Sequence, residues 1–597
     1  MRKYLPIRPE NKYRFLGYII IVIVSLFFRL VWLDRIPVGI SDDELEYVFN
    51  SKAVMLSGHD ITGTWNPVSL TSPSKATPMA ELPYLIIAPI TGNLPFTLFN
   101  ARLPYAIANT ILVLATALIA ATLINPTVGF ITGIFGAVNP WNLYFGRTAY
   151  DSPLATLFMY LAVYLTLTKT KWKQIGYLIF YFLAFYCYIG IKTVFIPFVG
   201  FISVWNYLYF KRKYLKELAM TLIFAALIFG FFLANLKTNS ASGRLPEIFT
   251  PSHFSVTKQV NDSRRNSINS PLQSLYDNKI IVYAKTVLSK YFNFFYPEYL
   301  FINGEGRSTY SVWGHGVMYF IDMVFIVLGL IFLYRKNKFV LFFLSGLLLL
   351  SPIPTVFSSV GISFSIRSAL AFPPLIILAA TGFYFLNGLP RSIILKRYSV
   401  ILTSLVYAVF VSNFLYSYFL KNPVSNSEGF AFSERQIANY IRLSKTGNQK
   451  IVIMTDGSQT LLRQYLFFSD LLNKTTYPEI SRAFRTGIFS YGNISSTSCG
   501  DSWIFDESTV YITHAGSVCP KLMGKKYYSL ALLSDGGEIY RIYNDKICGN
   551  YQLGLYPGKI EYRYLVLENL NIRDFCQKYV TDLSPILPKS ADVPETE

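Results

Sequence analysis

Charge is scarce in this chain. Of 597 residues only 15% are Asp, Glu, Lys or Arg, against 52% hydrophobic and 17% aromatic. With a mean hydropathy of +0.37, the chain is too apolar for a water-soluble protein of this length, so a polytopic membrane protein is expected. Histidine is scarcer still. The four present, His59, His253, His315 and His514, show no ligand spacing such as His-x-x-x-His; no cofactor is expected and a divalent metal is not indicated. His59 with Asp60 reads as a loop turn. Glycine-rich nucleotide fingerprints are missing too: the Asp456-Gly457 turn after Lys450–Met454 could cradle a phosphate, but matches neither a dinucleotide motif nor a P-loop. The net charge of +20 does not point to nucleic acid, whose binders gather Lys and Arg on one soluble face. Here they fall in short clusters between apolar runs, the pattern of membrane topology.

What is present is a succession of apolar segments. The run 15–33 follows the basic stretch Arg2, Lys3, Arg8, Lys12 and Arg14 and lacks a small-residue cleavage site, so it reads as a retained first helix with the N-terminus cytoplasmic. Further spans are predicted at 104–124, 127–143, 152–168, 174–190, 193–210, 217–236, 316–334, 339–353, 368–388 and 398–419, about eleven in all. Alternation then places four basic clusters on the cytoplasmic side, around Lys169–Lys173, Lys211–Lys216, Arg335–Lys338 and Arg391–Arg397, as the positive-inside rule requires. The plasma (inner) membrane is the expected location. On its outer side fall the loop 34–103, the turn Arg147–Asp151, the loop 237–315 and everything after about 420.

The part after 420 reads as a soluble α/β accessory domain, 421–585, with a disordered Pro- and acid-rich tail, 586–597. Strands are predicted at Lys450–Met454, Ser508–His514 and Glu538–Tyr543, and a helix over Thr460–Leu472. Four of the five cysteines lie here, an even number that suggests disulfides in an oxidising compartment. Of three possible pairings, Cys499–Cys519 with Cys548–Cys576 is preferred. Cys187 reads as a packing residue.

The chemistry-bearing candidates are all on the predicted outer face. Ser41-Asp42-Asp43-Glu44 is a capping box, so its acids can simply start a helix; compatibly, Glu44 can fold back on the cap while Asp43 points outward as a general base. Such a base would deprotonate an acceptor hydroxyl or amine for attack on a sugar. That sugar would be carried by a polyprenyl phosphate, since nucleotide sugars are absent on that side, and a phosphate leaving group calls for cations more than for an acid. Asp151 is the second acid, with two plainer readings: an intrahelical pair with Arg147 or an N-cap before Ser152-Pro153. Candidate phosphate ligands are Lys75, Arg147, Lys192 with Tyr188 at a helix break, and Arg367 after Pro352-Ile353-Pro354. Arg102 reads as a snorkelling side chain.

The ordered set Asp43-Glu44, Gly58-His59-Asp60, Arg102-Leu103-Pro104, Asn139-Pro140-Trp141 through Arg147-Thr148-Ala149-Tyr150-Asp151, Tyr188 with Lys192, and Pro352-Ile353-Pro354 with Arg367-Ser368 resembles the GT-C glycosyltransferases. Within them it is similar to the family 39-like group of dolichyl-phosphate-mannose protein mannosyltransferases and the lipid A aminoarabinose transferase. Asp277-Asn278-Lys279, Tyr291, Leu300-Phe301 and Gly304 fit the same branch. The resemblance covers about 15–420 and implies an α-helical GT-C domain over 1–420. It further implies an inverting transferase with a polyprenyl-phosphate sugar as donor and Asp43 as base. The acceptor would be a protein, lipid or glycan. The family's Lys-Pro-Pro is replaced by Lys75-Ala76-Thr77-Pro78. Two other classes stay open. A lipid or sugar transporter would want ionisable groups in mid-span and repeated halves, and an O-antigen ligase-type enzyme would carry its key cations in a large late loop. A binding scaffold is a further alternative.

Overall fold

The computed structural model describes residues 11–71, 79–168, 173–210, 215–235, 253–306, 309–357, 364–444, 449–455, 458–500, 503–551, 553 and 560–582. Lys75, the Asp456-Gly457 turn and the predicted tail lie outside the described residues. The chain divides into two compact units. One holds Met1–Val31, Asn66–Ile86 and Arg102–Leu420; the other holds Trp32–Trp65, Ile87–Ala101 and Lys421–Glu597.

The first unit is helical. Every predicted span carries a helix: Asn11–Leu30, Leu98–Leu123, Pro126–Val138, Asp151–Leu167, Lys173–Cys187, Ile189–Tyr209, Leu215–Asn235, Phe320–Lys336, Lys338–Leu350, Phe372–Gly388 and Ile393–Tyr416. A helix closes its backbone hydrogen bonds within one segment, which lipid demands. Among the described residues six helices are long and apolar enough to cross a membrane, and Phe15–Leu30, Pro126–Val138 and Asp151–Leu167 are shorter apolar ones. The protein is an integral membrane protein. The predicted span 127–143 breaks at Asn139, which is extended and caps a second short helix, Pro140–Phe145, because the residue before a proline is pushed out of the helical region.

Phe372–Gly388 is buried along most of its length, whereas Ile393–Tyr416 buries only Tyr407 and Phe414. The buried helix meets Phe320–Lys336 at two glycines. A Cβ on Gly382 would fall 1.7 Å from the Phe325 carbonyl oxygen, and one on Gly329 would fall 2.2 Å from that of Leu378. The two backbones are therefore in direct contact, the small-residue mode of packing in membranes. Ionic groups inside this unit are tied down. Fully buried Arg29 donates to Asn109 Oδ1 (3.0 and 2.8 Å), to the Ser25 carbonyl (2.9 Å) and to that of Ala137 (3.1 Å). Asp322 accepts from Tyr319 N at 2.9 Å to start its helix. Arg102 is fully buried in protein, which corrects the snorkelling reading: it does not reach out along the lipid.

The second unit is a mixed six-stranded sheet in the order β2-β1-β3-β5-β4-β6, with β1 Ile451–Met454, β2 Ile494–Ser496, β3 Val510–His514, β4 Tyr527–Ala531, β5 Glu538–Tyr543 and β6 Val580–Thr581. β1 runs parallel to β2 and β3; the pairs β3–β5, β4–β5 and β4–β6 are antiparallel. β1 is buried at every position, as a central strand covered on both faces must be. Cys499 is bonded to Cys519 and Cys548 to Cys576, with Cα separations of 4.9 and 5.4 Å, while Cys187 is free and buried.

Candidate functional site

The helix Asp42–Ser57 belongs to the second unit. Its start is a complete capping box: Glu44 N donates to Ser41 Oγ (3.4 Å), and Glu44 Oε2 accepts from Ser41 N (3.0 Å) and Ser41 Oγ (3.2 Å). Three acids occupy the first turn, where the helix dipole favours them, and Gly58 at φ +78° closes the other end by donating to the Val54 carbonyl, a conformation that suits glycine. The cap divides the acids. Glu44 is fully buried with one carboxylate oxygen committed to Ser41; Asp43 is half-buried and Asp42 exposed.

The rest of the helix is clamped to the α/β fold. Glu46 pairs with Arg463 and accepts from Asn50 Nδ2 at 2.7 Å. Lys52 Nζ lies 3.0 Å from Asp470 Oδ1, 3.1 Å from the Leu94 carbonyl and 4.1 Å above the Phe96 ring. The turn-rich approach to the helix is held as well: Arg435 donates to the Val38 carbonyl and Gln464 Nε2 to that of Ile40 at 3.0 Å. Beyond Gly58 the loop is organised by Asp60 Oδ1, which accepts from Thr64 N and Trp65 N at 3.1 Å each. Asp60 thus builds a turn beside His59. The same unit contains a second acidic group: burial pushes the Glu434 carboxyl above its ordinary range, opposed by a hydrogen bond from Tyr540 Oη at 3.0 Å and raised further by the charge of Asp42.

In the helical unit the cations sit in built surroundings. The chain is extended at Tyr188, between the helices Lys173–Cys187 and Ile189–Tyr209. One turn later Lys192 Nζ lies 2.6 Å from Glu81 Oε1, both side chains nearly inaccessible, and 4.6 Å above the Phe232 ring. Leu82 N donates to the Tyr186 carbonyl at 3.1 Å, which docks the Glu81 loop on the helix break. Burial raises the Glu81 carboxyl above its ordinary range against the opposing charge of Lys192. Its Oε2 is buried without a hydrogen-bond partner. Glu81 is the residue sequence reasoning missed. The only signal was a carboxylate stranded in the apolar run Met79-Ala80-Glu81-Leu82-Pro83.

Asp151 begins the helix Asp151–Leu167, and Arg147 precedes that helix, which corrects the intrahelical ion pair. Arg147 donates through Nη1 to the carbonyls of Phe28 (2.9 Å), Arg29 (3.0 Å) and Val31 (2.7 Å), and through Nε to Tyr418 Oη (3.2 Å). It closes off the C-terminal end of the first helix, where orphan carbonyls and the dipole favour a cation. Cys187 lies within electrostatic reach of Asp151, Glu81 and Lys192. Ser152 Oγ, next to Asp151, donates to the Ile366 carbonyl at 2.5 Å and Trp141 Nε1 to that of Ser365 at 2.8 Å, so the segment bearing Arg367 is held at Ser152 and Trp141. Lys290, another residue not picked out beforehand, is pulled below its ordinary range by partial burial and by the charge of Arg367. One end of the helical bundle thus gathers Asp151, Glu81, Lys192, Arg367 and Lys290. Among the described residues no group of His, Cys, Asp and Glu could hold a metal ion.

No protein-family model matches the chain, and no curated protein sequence does. Its fold, however, is similar to that of ArnT from Cupriavidus metallidurans bound to undecaprenyl phosphate. The TM-score is 0.50 and the identity 10%, over 90% of this chain and 99% of that one. A weaker likeness, at a TM-score of 0.45 and 11% identity, is to the archaeal oligosaccharyltransferase AglB from Archaeoglobus fulgidus in complex with an inhibitory peptide and a dolichol-phosphate, over 94% of this chain and 77% of that one.

Proposed function

We propose that this chain, which has the GT-C fold of ArnT, is a membrane glycosyltransferase. It moves a sugar, with inversion, from a polyprenyl-phosphate donor to a hydroxyl or amine acceptor. The observation that carries the reading is the division of labour at the head of the helix Asp42–Ser57. Glu44 is committed to the cap, while its neighbour Asp43 stays half-buried on a helix clamped at Glu46 and Lys52. A base held on a rigid, pre-positioned element suits proton abstraction from an acceptor. In this reading Glu44 sets the angle of that helix.

Supporting the donor class is the fold likeness to a protein solved with undecaprenyl phosphate. The donor phosphate is assigned to Arg367 and Lys290, two cations that already repel one another and are relieved by an anion. Lys192 and Tyr188 at the helix break are assigned to the same group, with Glu81 balancing Lys192 until the donor arrives; Asp151 orients the acceptor side. Arg147 supports the fold beneath. The sites face the outside of the plasma membrane, with the N-terminus in the cytoplasm.

The test is sugar transfer from a mixture of polyprenyl-phosphate sugars by purified wild type and Asp43→Asn. Loss of about 10²- to 10⁴-fold in kcat with donor binding kept is expected. Undiminished transfer by Asp43→Asn would move the base to Asp151 or Glu44. Donor binding without transfer by either protein would point to a carrier or a scaffold.

A further inference from the structure

Between the membrane helices Leu215–Asn235 and Phe320–Lys336 the chain builds a helical hairpin unlike the rest of the unit. Its arms are His253–Arg265 and Lys279–Asn293, joined by a corner with the single turn Gln273–Tyr276. The corner is stiff. Ser263 Oγ donates to Asp277 Oδ1 at 2.6 Å, Arg264 Nε to the Asp277 carbonyl at 2.9 Å, and Gln273 Nε2 to Ser267 Oγ at 2.7 Å. On the first arm Val256 and Val260, one turn apart, are buried.

Most of the other large apolar side chains of the hairpin are exposed, while Ile281 and Val282 are half-buried. Ile268 is 92% exposed, Phe254 and Ile280 78%, and Leu272, Leu275, Tyr276, Leu288 and Phe292 are more than half exposed. No helix of the described protein covers them. Eight large apolar side chains exposed on one short hairpin are more than a water-facing surface ordinarily carries. Around them the charge is mainly positive: from His253 to Tyr296 there are six Lys and Arg against two acids, Asp262 and Asp277, and Lys258, Arg264, Arg265, Lys279 and Lys285 are exposed, Arg265 also pairing with Asp262 at 3.0 Å. Because the loop is long, topology signals do not account for that bias. The height of the hairpin is fixed too. Tyr291 Oη donates to the Leu349 carbonyl at 2.7 Å, at the last turn of the membrane helix Lys338–Leu350.

We infer that this hairpin is a second, monotopic membrane contact: it lies in the lipid interface at the end of the helical unit, sinks its apolar rim among the acyl chains, and selects anionic headgroups through Lys258, Arg265, Lys279 and Lys285. An amphipathic helix with aromatic and aliphatic residues on one side and Lys and Arg on the other has this partner chemistry, and each basic group near an anionic surface adds attraction. The inference is independent of the transfer chemistry.

The test places an environment-sensitive fluorophore at Ile268→Cys in the full chain, reconstituted in nanodiscs of phosphatidylcholine alone or with phosphatidylglycerol. Quenching by brominated acyl chains is compared with quenching by aqueous iodide. Brominated lipid should quench the label, about twofold more strongly with phosphatidylglycerol present. That gain should vanish in Lys258→Glu/Arg265→Glu/Lys285→Glu, whose thermal melting is checked against wild type. Quenching by iodide alone would overturn the proposal by placing the rim in water. Shielding from both quenchers would overturn it in favour of a protein cover, and equal quenching in the two lipids would overturn anionic selection.

Discussion

Lys192 was legible because a cation beside two tyrosines at a helix break is conspicuous in an apolar sequence. Its partner Glu81 was not, being 111 residues away, a distance only the fold closes. The pair is buried on both sides, so removing one member strands the other. Glu81→Gln or Lys192→Met is expected to lower stability by about 3–5 kcal/mol, and the double replacement by clearly less; denaturation of the purified protein reads this, and two additive single losses would argue against a coupled pair. Glu434 supplies a pH dependence. Its folded carboxyl titrates above the unfolded value of 4.5, so the folded state holds the proton longer and loses stability as pH rises from that value through the folded one. Glu434→Gln keeps an acceptor for Tyr540, and should raise the melting temperature at pH 8 with a benefit that shrinks towards pH 4.5. A gain that grew on acidification would contradict the sign.

Elements were legible in proportion to their length and periodicity. Eleven apolar runs announced eleven helices, and the capping box at Ser41 announced the helix that follows it, since both signals are local. β2 and β6 have three and two residues and exist only through their neighbours, so no local pattern could announce them; β4, with five residues like β3, was not predicted either. The clamp on the helix Asp42–Ser57 was equally hidden, because Glu46 and Arg463 are 417 residues apart. If that helix carries the base, Arg463 is a positioning residue. Arg463→Glu should then lower kcat about ten- to a hundredfold with little change in donor KM, and the exchange Glu46→Arg/Arg463→Glu should recover much of it. Failure of the exchange to recover any rate, in a protein that melts like wild type, would leave the pair a purely structural contact.

At the scale of the molecule, the α/β unit is assembled from three separate stretches of chain, two early and one late. Its two disulfides close separations of 20 and 28 residues, each worth about 3 kcal/mol by loop closure. Replacing Cys548 and Cys576 with serine should therefore lower the melting of this unit while the far-ultraviolet signal of the membrane helices persists; a joint collapse of both would show the units to be one cooperative block. The division also sets an order in time. Trp32–Trp65 leaves the ribosome hundreds of residues before Arg463 and Asp470, so the helix bearing Asp43 waits, unclamped, through the synthesis of the entire membrane bundle. A chain cut short by stalled translation, or one whose late segment fails to be exported, would insert its membrane helices and still lack the Arg463 and Asp470 contacts of the helix Asp42–Ser57; if that helix carries the base, the interrupted product would be inert.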